Sequence, residues 1–173
     1  MHFKSILVLG AGRSSSALIN YLQQQASINN WQLTVGDFDQ AAAKERIGNA
    51  DFAKAIRFDI ADQDASRLVI EQADVVVSLM PAHLHPQVAR ICLEQKKHLL
   101  TASYVSEEMK SLQDEAASKG LLFLNECGLD PGIDHMSAMQ VIDKIKGLGG
   151  KLYSFESFTG GLISPDTDLE NPW

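Results

Sequence analysis

The sequence alternates short, strongly apolar runs with longer stretches in which apolar residues recur at helical spacing. Six runs are rich in Val, Ile and Leu on both faces, which is typical of strands buried in a parallel sheet. After the fifth run, Val105, Met109, Leu112 and Ala116 are spaced by four, three and four residues, which predicts an amphipathic helix with Ser106 as its N-cap. The alternation indicates βαβ units. The predicted strands cover residues 5–9, 32–36, 55–58, 74–80, 98–102 and 121–125.

These elements predict an α/β fold of the Rossmann type, with a doubly wound, six-stranded parallel sheet over residues 1–148. Asp130 is expected to cap the last helix of this domain, with Pro131 at its first position. Residues 152–159 alternate with period two and predict a further strand. We interpret residues 149–173 as the start of a truncated substrate or dimerisation domain, and expect the free edge of that strand to pair with a second copy.

Composition and charge narrow the possible functions. The 173 residues include 15 Lys and Arg against 22 Asp and Glu, and the net charge of −7 argues against a nucleic-acid or anionic-membrane partner. No apolar run approaches the roughly 20 residues that span a bilayer, and no secretory signal is visible. Cys92 and Cys127 are too few for a disulfide framework, and His83 and His85 lack a third ligand. We therefore expect a cytoplasmic protein without a metal site.

The turn after the first predicted strand carries a dinucleotide-binding pattern. Residues 10–15 read GAGRSS, in which two glycines allow a tight turn and close approach of a pyrophosphate to the helix N-terminus. A serine replaces the third glycine and is small enough for helix–strand packing. A tight turn without a ligand is the alternative, but the six-strand context favours a cofactor. The residues expected to contact it here are Gly10, Gly12, Arg13, Ser14 and Ser15.

Acidic residues at the ends of the next two strands bear on the choice of cofactor. Asp37 stands 25 residues after Gly12, where a carboxylate binds ribose hydroxyls and repels a 2′-phosphate. Because Phe38 follows rather than an arginine, the sequence favours NAD over NADP, although Arg13 could hold a phosphate. Asp59 either receives the adenine amino group or is a loop acid. The end of the fourth strand is expected to face the nicotinamide, through Ser78, Leu79, Met80 and Pro81.

Three further segments resemble a known family. Residues 100–105 (LTASYV), 128–135 (GLDPGIDH) and 158–162 (FTGGL) resemble the glutamate-forming saccharopine dehydrogenases. The resemblance implies NAD(P)-dependent oxidation of saccharopine, a secondary amine, to glutamate and 2-aminoadipate 6-semialdehyde, or the reverse, in lysine metabolism. It also implies a small amino-acid substrate and a homodimer of the complete protein. Three residues depart from the family pattern: Phe38 replaces the Arg of NADP-using members, Ala82 a Tyr and Thr159 a Cys.

Two residues in these segments are candidates for proton transfer. Tyr104 and Asp130 can donate or accept protons at the cleft, and the resemblance places Tyr104 beside the substrate. The alternatives are a packing role for the tyrosine and helix capping for the aspartate. His135 is interpreted as structural and Cys127 as a small core residue. The other residues expected to contact the cofactor are Ser103, Leu129 and Pro131.

The sequence therefore favours an NAD-linked dehydrogenase of secondary amines. A dinucleotide-sensing module and a carboxynorspermidine-type dehydrogenase are the alternatives. We expect the 173-residue chain to bind NAD(H) without oxidising saccharopine, because one wall of a cleft does not orient a flexible substrate.

Overall fold

Six parallel strands form one sheet in the computed structural model, which describes residues 4–158. The strands are β1 (Ser5–Leu9), β2 (Gln32–Asp37), β3 (Ala53–Arg57), β4 (Val75–Ser78), β5 (His98–Thr101) and β6 (Phe123–Leu124). Their order in the sheet is β3-β2-β1-β4-β5-β6, so β1 to β3 extend the sheet in one direction and β4 to β6 in the other, as in a Rossmann sheet. The α/β prediction is therefore confirmed.

Helices connect consecutive strands, and several begin at side-chain caps. Asp39 accepts a hydrogen bond from the Ala41 N–H (2.9 Å), and Ser106 accepts one from the Met109 N–H (3.2 Å). The capping role predicted for Ser106 is thus confirmed. The helices are α1 (Ser16–Asn29), α2 (Gln40–Ile47), α3 (Gln63–Glu71), α4 (His85–Gln95), α5 (Glu107–Ser111), α6 (Gln113–Ser118) and α7 (Ile133–Gly147). Among residues 4–158, no helix combines the length and apolar character needed to cross a bilayer.

Apolar side chains cover both faces of the sheet. Along β1, Leu7 and Leu9 belong to one buried cluster and Val8 to another, because successive side chains of a strand point to opposite faces. The first cluster includes Ile91 of α4, and the second includes Ile19 of α1. This two-sided burial explains why the strands read as continuous apolar runs rather than as alternating ones.

The helix predicted after the fifth strand is divided in two. Met109, Leu112 and Ala116 are buried as expected, but Leu112 lies between α5 and α6 with ψ near zero. Val105 lies before α5 and is 40% exposed. The apolar spacing correctly identifies the buried side, but it does not reveal the break in the backbone.

The last predicted helix begins later than expected. Asp130 does not cap α7, which starts at Ile133. Residues 128–132 form a tight loop in which the Gly128 N–H donates to the Pro131 carbonyl (2.8 Å) and the Ile133 N–H to the Gly128 carbonyl (3.0 Å). Because the loop is closed ahead of the helix, the carboxylate of Asp130 is available to another partner.

The strand predicted over residues 152–159 is not formed in its described part, residues 152–158. A strand requires a hydrogen-bonded neighbour, and no described strand pairs with this segment. Thr159 lies outside the described residues. By compactness the chain divides into Met1–Met136 and Ser137–Trp173. In the second unit the Gly150 N–H donates to the Ile145 carbonyl (2.9 Å) beyond the end of α7. The domain boundary at residue 148 stays a prediction.

The two cysteines differ sharply in environment. Cys92 is buried in α4, and burial raises the pKa of its thiol to about 12. Cys127 is exposed, so its interpretation as a core residue is wrong. It follows the two-residue strand β6, at the edge of the sheet, where its side chain is not covered.

We expect only one of these thiols to react in the native chain. The thiolate is the reactive form, and the buried Cys92 thiol, whose pKa is raised, neither ionises readily nor meets the reagent. A disulfide-exchange reagent should therefore modify the exposed Cys127 rapidly and Cys92 only on unfolding. Native Cys127→Ser should therefore show no fast phase, whereas Cys92→Ala should retain it. Fast modification of native Cys127→Ser would contradict the burial of Cys92.

Candidate functional site

A cleft of about 410 Å³ lies at the carboxyl ends of the central strands. It brings together eight of the residues that the sequence predicts to contact a cofactor. Four apolar or glycine neighbours complete its lining, namely Gly36, Phe58, Ile60 and Leu84. The predicted residues in the lining are Gly10, Gly12, Asp37, Phe38, Asp59, Leu79, Met80 and Pro81.

The two glycines of the predicted nucleotide loop have different roles. Gly10 has a φ of +104°, and a Cβ there would lie 2.9 Å from the Leu79 carbonyl oxygen. Gly12 has ordinary extended backbone, and a Cβ there would meet no atom within 4 Å. Gly10 is thus required by the fold, whereas Gly12 leaves open space at the cleft. That open space before α1 fits a pyrophosphate.

The serine in the place of the third glycine closes the turn. Ser15 is buried, and its hydroxyl donates to the Gly12 carbonyl (2.6 Å). Arg13 and Ser14 are exposed within the same turn. On the other side of the loop, the Arg46 Nε of α2 donates to the Ala11 carbonyl (3.3 Å). The sequence pattern gave no indication of this last contact.

Asp37 holds the loop to the end of β2. One carboxylate oxygen accepts the Ala11 N–H (2.6 Å) and the other accepts the Asp39 N–H (2.9 Å). Both oxygens therefore already have backbone donors. The acid that suggested a ribose contact has a structural role in this loop.

An arginine contacts two residues of the cleft lining although none follows β2 in the sequence. Arg57 is the register partner of Asp37 in the ladder between β2 and β3. Its guanidinium carbon is 5.1 Å from the centre of the Phe38 ring, and one of its nitrogens is 3.9 Å from Asp59 Oδ2. Asp59 also accepts the Ala61 N–H (3.0 Å), as a loop acid would. Only the strand register reveals this arginine.

The second functional region lies after β5 and β6. The Tyr104 hydroxyl donates a hydrogen bond to Asp130 Oδ1. This hydrogen bond, together with the charges of Asp130, Asp134 and Glu126, raises the pKa of Tyr104, so the phenol stays protonated. The two residues proposed for proton transfer are therefore direct partners.

Glu126 supports this tyrosine from the neighbouring segment. Its carboxylate accepts the Val105 N–H (3.1 Å), and its own N–H donates to the Ser103 carbonyl (3.2 Å). Glu126 has a φ of +61°, which directs the chain into the loop at Gly128. Sequence reasoning missed this residue because both contacts join segments more than twenty residues apart.

Asp134 and His135 begin α7 beside this pair. His135 Nδ1 is 2.7 Å from Asp134 Oδ1, and this hydrogen bond and charge raise the pKa of the exposed imidazole. One ligand atom from each of Asp130, Asp134 and His135 lies within 4.8 Å of the others, so these residues could surround a cation. In the sequence pattern only His83 and His85 were candidates for such a role.

His85 is instead a buried connection between two strands. Its Nδ1 is 2.9 Å from Ser78 Oγ, and its Nε2 is 2.9 Å from Ser103 Oγ. Burial, with a smaller contribution from His83, lowers the pKa of this imidazole. Of the remaining predicted cofactor residues, Leu129 is 74% exposed and Pro131 is buried; neither lines the cleft.

Comparison with known proteins agrees with this geometry. Residues 6–124 match the family model of the saccharopine dehydrogenase NADP binding domain, and residues 128–173 match that of the saccharopine dehydrogenase C-terminal domain. The structure is similar to apo saccharopine dehydrogenase (L-Glu forming) from Saccharomyces cerevisiae. That comparison has a TM-score of 0.77 at 35% identity and covers 87% of this chain and 33% of the other.

Curated relatives are much longer than this chain. It is 38% identical to the NADP(+)-dependent, L-glutamate-forming saccharopine dehydrogenase of Saccharomyces cerevisiae, over 98% of this chain and 37% of that protein. It is 39% identical to the alpha-aminoadipic semialdehyde synthase of Arabidopsis thaliana, over 92% of this chain and 17% of that protein. The mitochondrial alpha-aminoadipic semialdehyde synthase of Rattus norvegicus is 36% identical, over 98% of this chain and 18% of that protein.

These matches overturn the prediction that NAD is the favoured cofactor, because the matching domain is described as NADP-binding and the yeast relative as NADP(+)-dependent. The physical reason for the error lies at the end of β2. Asp37 was assigned to a ribose, but its oxygens bind backbone amides. Phe38 was taken as a missing arginine, but Arg57 stacks on its ring.

The two loop glycines should respond differently to alanine. Gly10→Ala should lower the free energy of unfolding by about 1–3 kcal/mol, because it combines a disfavoured φ with a backbone clash. Gly12→Ala should change it by less than about 0.5 kcal/mol, because its Cβ enters open space. Urea unfolding without ligand measures both. Equal losses would contradict the distinction.

Proposed function

The chain belongs to the saccharopine dehydrogenase family, and from this premise we propose that it binds NADP and supplies the Tyr104–Asp130 pair for the oxidation of saccharopine. The products would be glutamate and 2-aminoadipate 6-semialdehyde. The observation that carries the proposal is the hydrogen bond between these two side chains, in the same compact unit as the glycine-lined cleft. The family matches favour this function over a sensing module or a carboxynorspermidine-type dehydrogenase.

The cleft has the features that a phosphorylated dinucleotide needs. The open space at Gly12 would take the pyrophosphate at the start of α1. Arg57, which contacts both Phe38 and Asp59 of the lining, would pair with the 2′-phosphate. Since the two oxygens of Asp37 already accept backbone hydrogen bonds, its negative charge is partly compensated.

Saccharopine oxidation requires a hydride acceptor and two proton transfers. NADP⁺, when bound, supplies the acceptor for the hydride from the carbon next to the amine. Water then adds to that carbon, and the carbon–nitrogen bond breaks with proton transfer to nitrogen. The overall change consumes saccharopine, water and NADP⁺ and yields glutamate, the semialdehyde, NADPH and a proton.

Tyr104 and Asp130 are suited to those proton transfers. The phenol is a neutral donor at neutral pH, and the Asp130 carboxylate to which it donates is an acceptor. Together with Glu126 and Asp134, Asp130 gives this region negative charge, which would attract the cationic secondary amine of the substrate. A homodimer and a cytoplasmic setting stay predictions.

Nucleotide titrations of the chain test the cofactor. We expect NADPH to bind more tightly than NADH. Arg57→Ser should weaken NADPH binding by about ten- to a hundredfold with little effect on NADH, since one charge-assisted hydrogen bond is worth roughly 1.5–3 kcal/mol. Fluorescence enhancement of each reduced nucleotide provides the dissociation constants. Arg90→Ser, which removes an exposed arginine paired with Glu108, is the matched control.

Gly12→Val should weaken the binding of both NADPH and NADH, because the valine side chain would enter the open space of the cleft. Equal binding of NADPH and NADH by the parent chain, or an equal loss of both in Arg57→Ser, would contradict the assignment of Arg57 to the 2′-phosphate.

Steady-state assays of the complete gene product test the reaction. Tyr104→Phe and Asp130→Asn should lower kcat for NADPH formation from saccharopine and NADP⁺ by about 10²–10⁴-fold, while the dissociation constant for NADPH stays unchanged. Tyr21→Phe, which alters an exposed tyrosine on α1, is the control. Retained NADPH binding without any saccharopine oxidation by the parent protein would contradict the catalytic part of the proposal.

A further inference from the structure

One buried imidazole joins the ends of two neighbouring strands. His85 is 2% exposed, and each of its ring nitrogens lies 2.9 Å from a serine hydroxyl. Ser78 is the last residue of β4, and Ser103 lies two residues beyond the end of β5. We call this arrangement the Ser–His–Ser bridge. In the part of the chain that the structure describes, no buried side-chain nitrogen or oxygen lacks a partner, so the bridge is fully satisfied.

The position of the imidazole is fixed by its own element. His85 is the first residue of α4 and is followed by Pro86, which is also buried. The preceding 3-10 turn, Ala82–Leu84, is closed by a hydrogen bond from the Leu84 N–H to the Pro81 carbonyl (2.9 Å). The backbone that carries the imidazole is therefore held by its own element, and the two serines contact the ring itself.

Each serine of the bridge precedes a residue of a functional region. Leu79 follows Ser78 and lines the nucleotide cleft, where its N–H donates to the Leu9 carbonyl (2.7 Å). Tyr104 follows Ser103 and donates to Asp130. The bridge is therefore the side-chain connection from the cleft wall to the tyrosine.

The segment that carries Tyr104 needs such a connection. It has left the sheet after Thr101, and 61% of the tyrosine is exposed. Glu126 holds the backbone on either side of Tyr104, through the Ser103 carbonyl and the Val105 N–H. The bond from His85 to Ser103 adds a second, independent anchor directly before the tyrosine.

We propose that His85 is a positioning residue that acts through Ser103 to hold Tyr104 in hydrogen-bonding reach of Asp130, at a fixed place relative to the Leu79 wall of the cleft. Its importance for turnover rests on the proposed function, but its effect on the Tyr104–Asp130 hydrogen bond does not. A neutral imidazole has one donor and one acceptor, so one serine donates to the ring and the other accepts from it.

Substitution of His85 by either of two amide residues tests the two hydrogen bonds of the bridge separately. Glutamine places its amide near the position of Nε2 and asparagine near that of Nδ1, so His85→Gln can keep the bond to Ser103 and His85→Asn only the bond to Ser78. Ser103→Ala removes the anchor without changing the ring. His83→Asn alters an exposed neighbouring histidine and is the matched control.

The first readout is the pKa of Tyr104 in the chain itself. It is measured by NMR with ring-labelled tyrosine, and Tyr104→Phe identifies the signal of this residue. The hydrogen bond to Asp130 raises this pKa, so a displaced tyrosine should titrate nearer to its ordinary value. We expect this fall in His85→Asn and Ser103→Ala, but not in His85→Gln or His83→Asn. Unfolding experiments on each variant separate displacement from loss of the fold.

The second readout is turnover by the complete gene product. His85→Asn and Ser103→Ala should each lower kcat between about tenfold and a hundredfold at unchanged NADPH affinity, and the double variant should be no slower than either. An unchanged Tyr104 pKa in folded Ser103→Ala would overturn the proposal. So would equal losses in the glutamine and asparagine variants. Because the NMR readout needs no substrate, failure of the proposed function would be seen separately, as a parent protein that does not oxidise saccharopine.

Discussion

Backbone hydrogen bonds that continue the parallel ladder beyond the strands hold the candidate site together. The Leu79 N–H donates to the Leu9 carbonyl, and the Gly10 N–H donates to the Gly36 carbonyl (2.7 and 2.8 Å). These bonds align the nucleotide loop with the chain leaving β4 and with the end of β2. Gly10 must be glycine because the same alignment brings the Leu79 carbonyl against its Cα. The cleft is therefore a consequence of strand register.

Register also separates what the sequence could predict from what it could not. The buried apolar strands, the loop at Gly10 and Gly12 and the cap at Ser106 each have a signal in consecutive residues, and local patterns identified them. Arg57 reaches Phe38 through the pairing of β3 with β2, and His85 reaches Ser103 across 18 residues. Such contacts leave no local signal, because each side chain alone has an ordinary surface or core interpretation. The predicted strand is absent from its described part, residues 152–158, for a related reason, since a strand also needs a hydrogen-bonded partner that local alternation does not supply.

The cofactor error has the same physical origin. A carboxylate after the second strand was interpreted by its charge alone, as a group that binds ribose and repels phosphate. In the structure each oxygen of Asp37 accepts one backbone N–H, which partly compensates its charge, and the Arg57 guanidinium stands on the adjacent strand. The local field at this end of the cleft is thus set by several groups rather than by one residue. The charge of an acid in a fingerprint position therefore has to be weighed together with the donors and cations around it before it indicates cofactor specificity.

The chemistry of the Ser–His–Ser bridge explains why histidine suits this place. A buried lysine or arginine would carry a charge that two hydroxyl groups cannot compensate, and burial of such a charge costs several kcal/mol. A neutral imidazole avoids this cost, and the two nitrogens of its rigid ring form hydrogen bonds in divergent directions, so it joins two strand ends without flexible bonds between the two nitrogens. The hydroxyl groups can rotate to suit either tautomer. A rigid, uncharged link of this kind fixes the position of Tyr104 relative to the cleft wall. It adds no charge, so the electrostatic field at Asp130 comes from the groups that face that carboxylate.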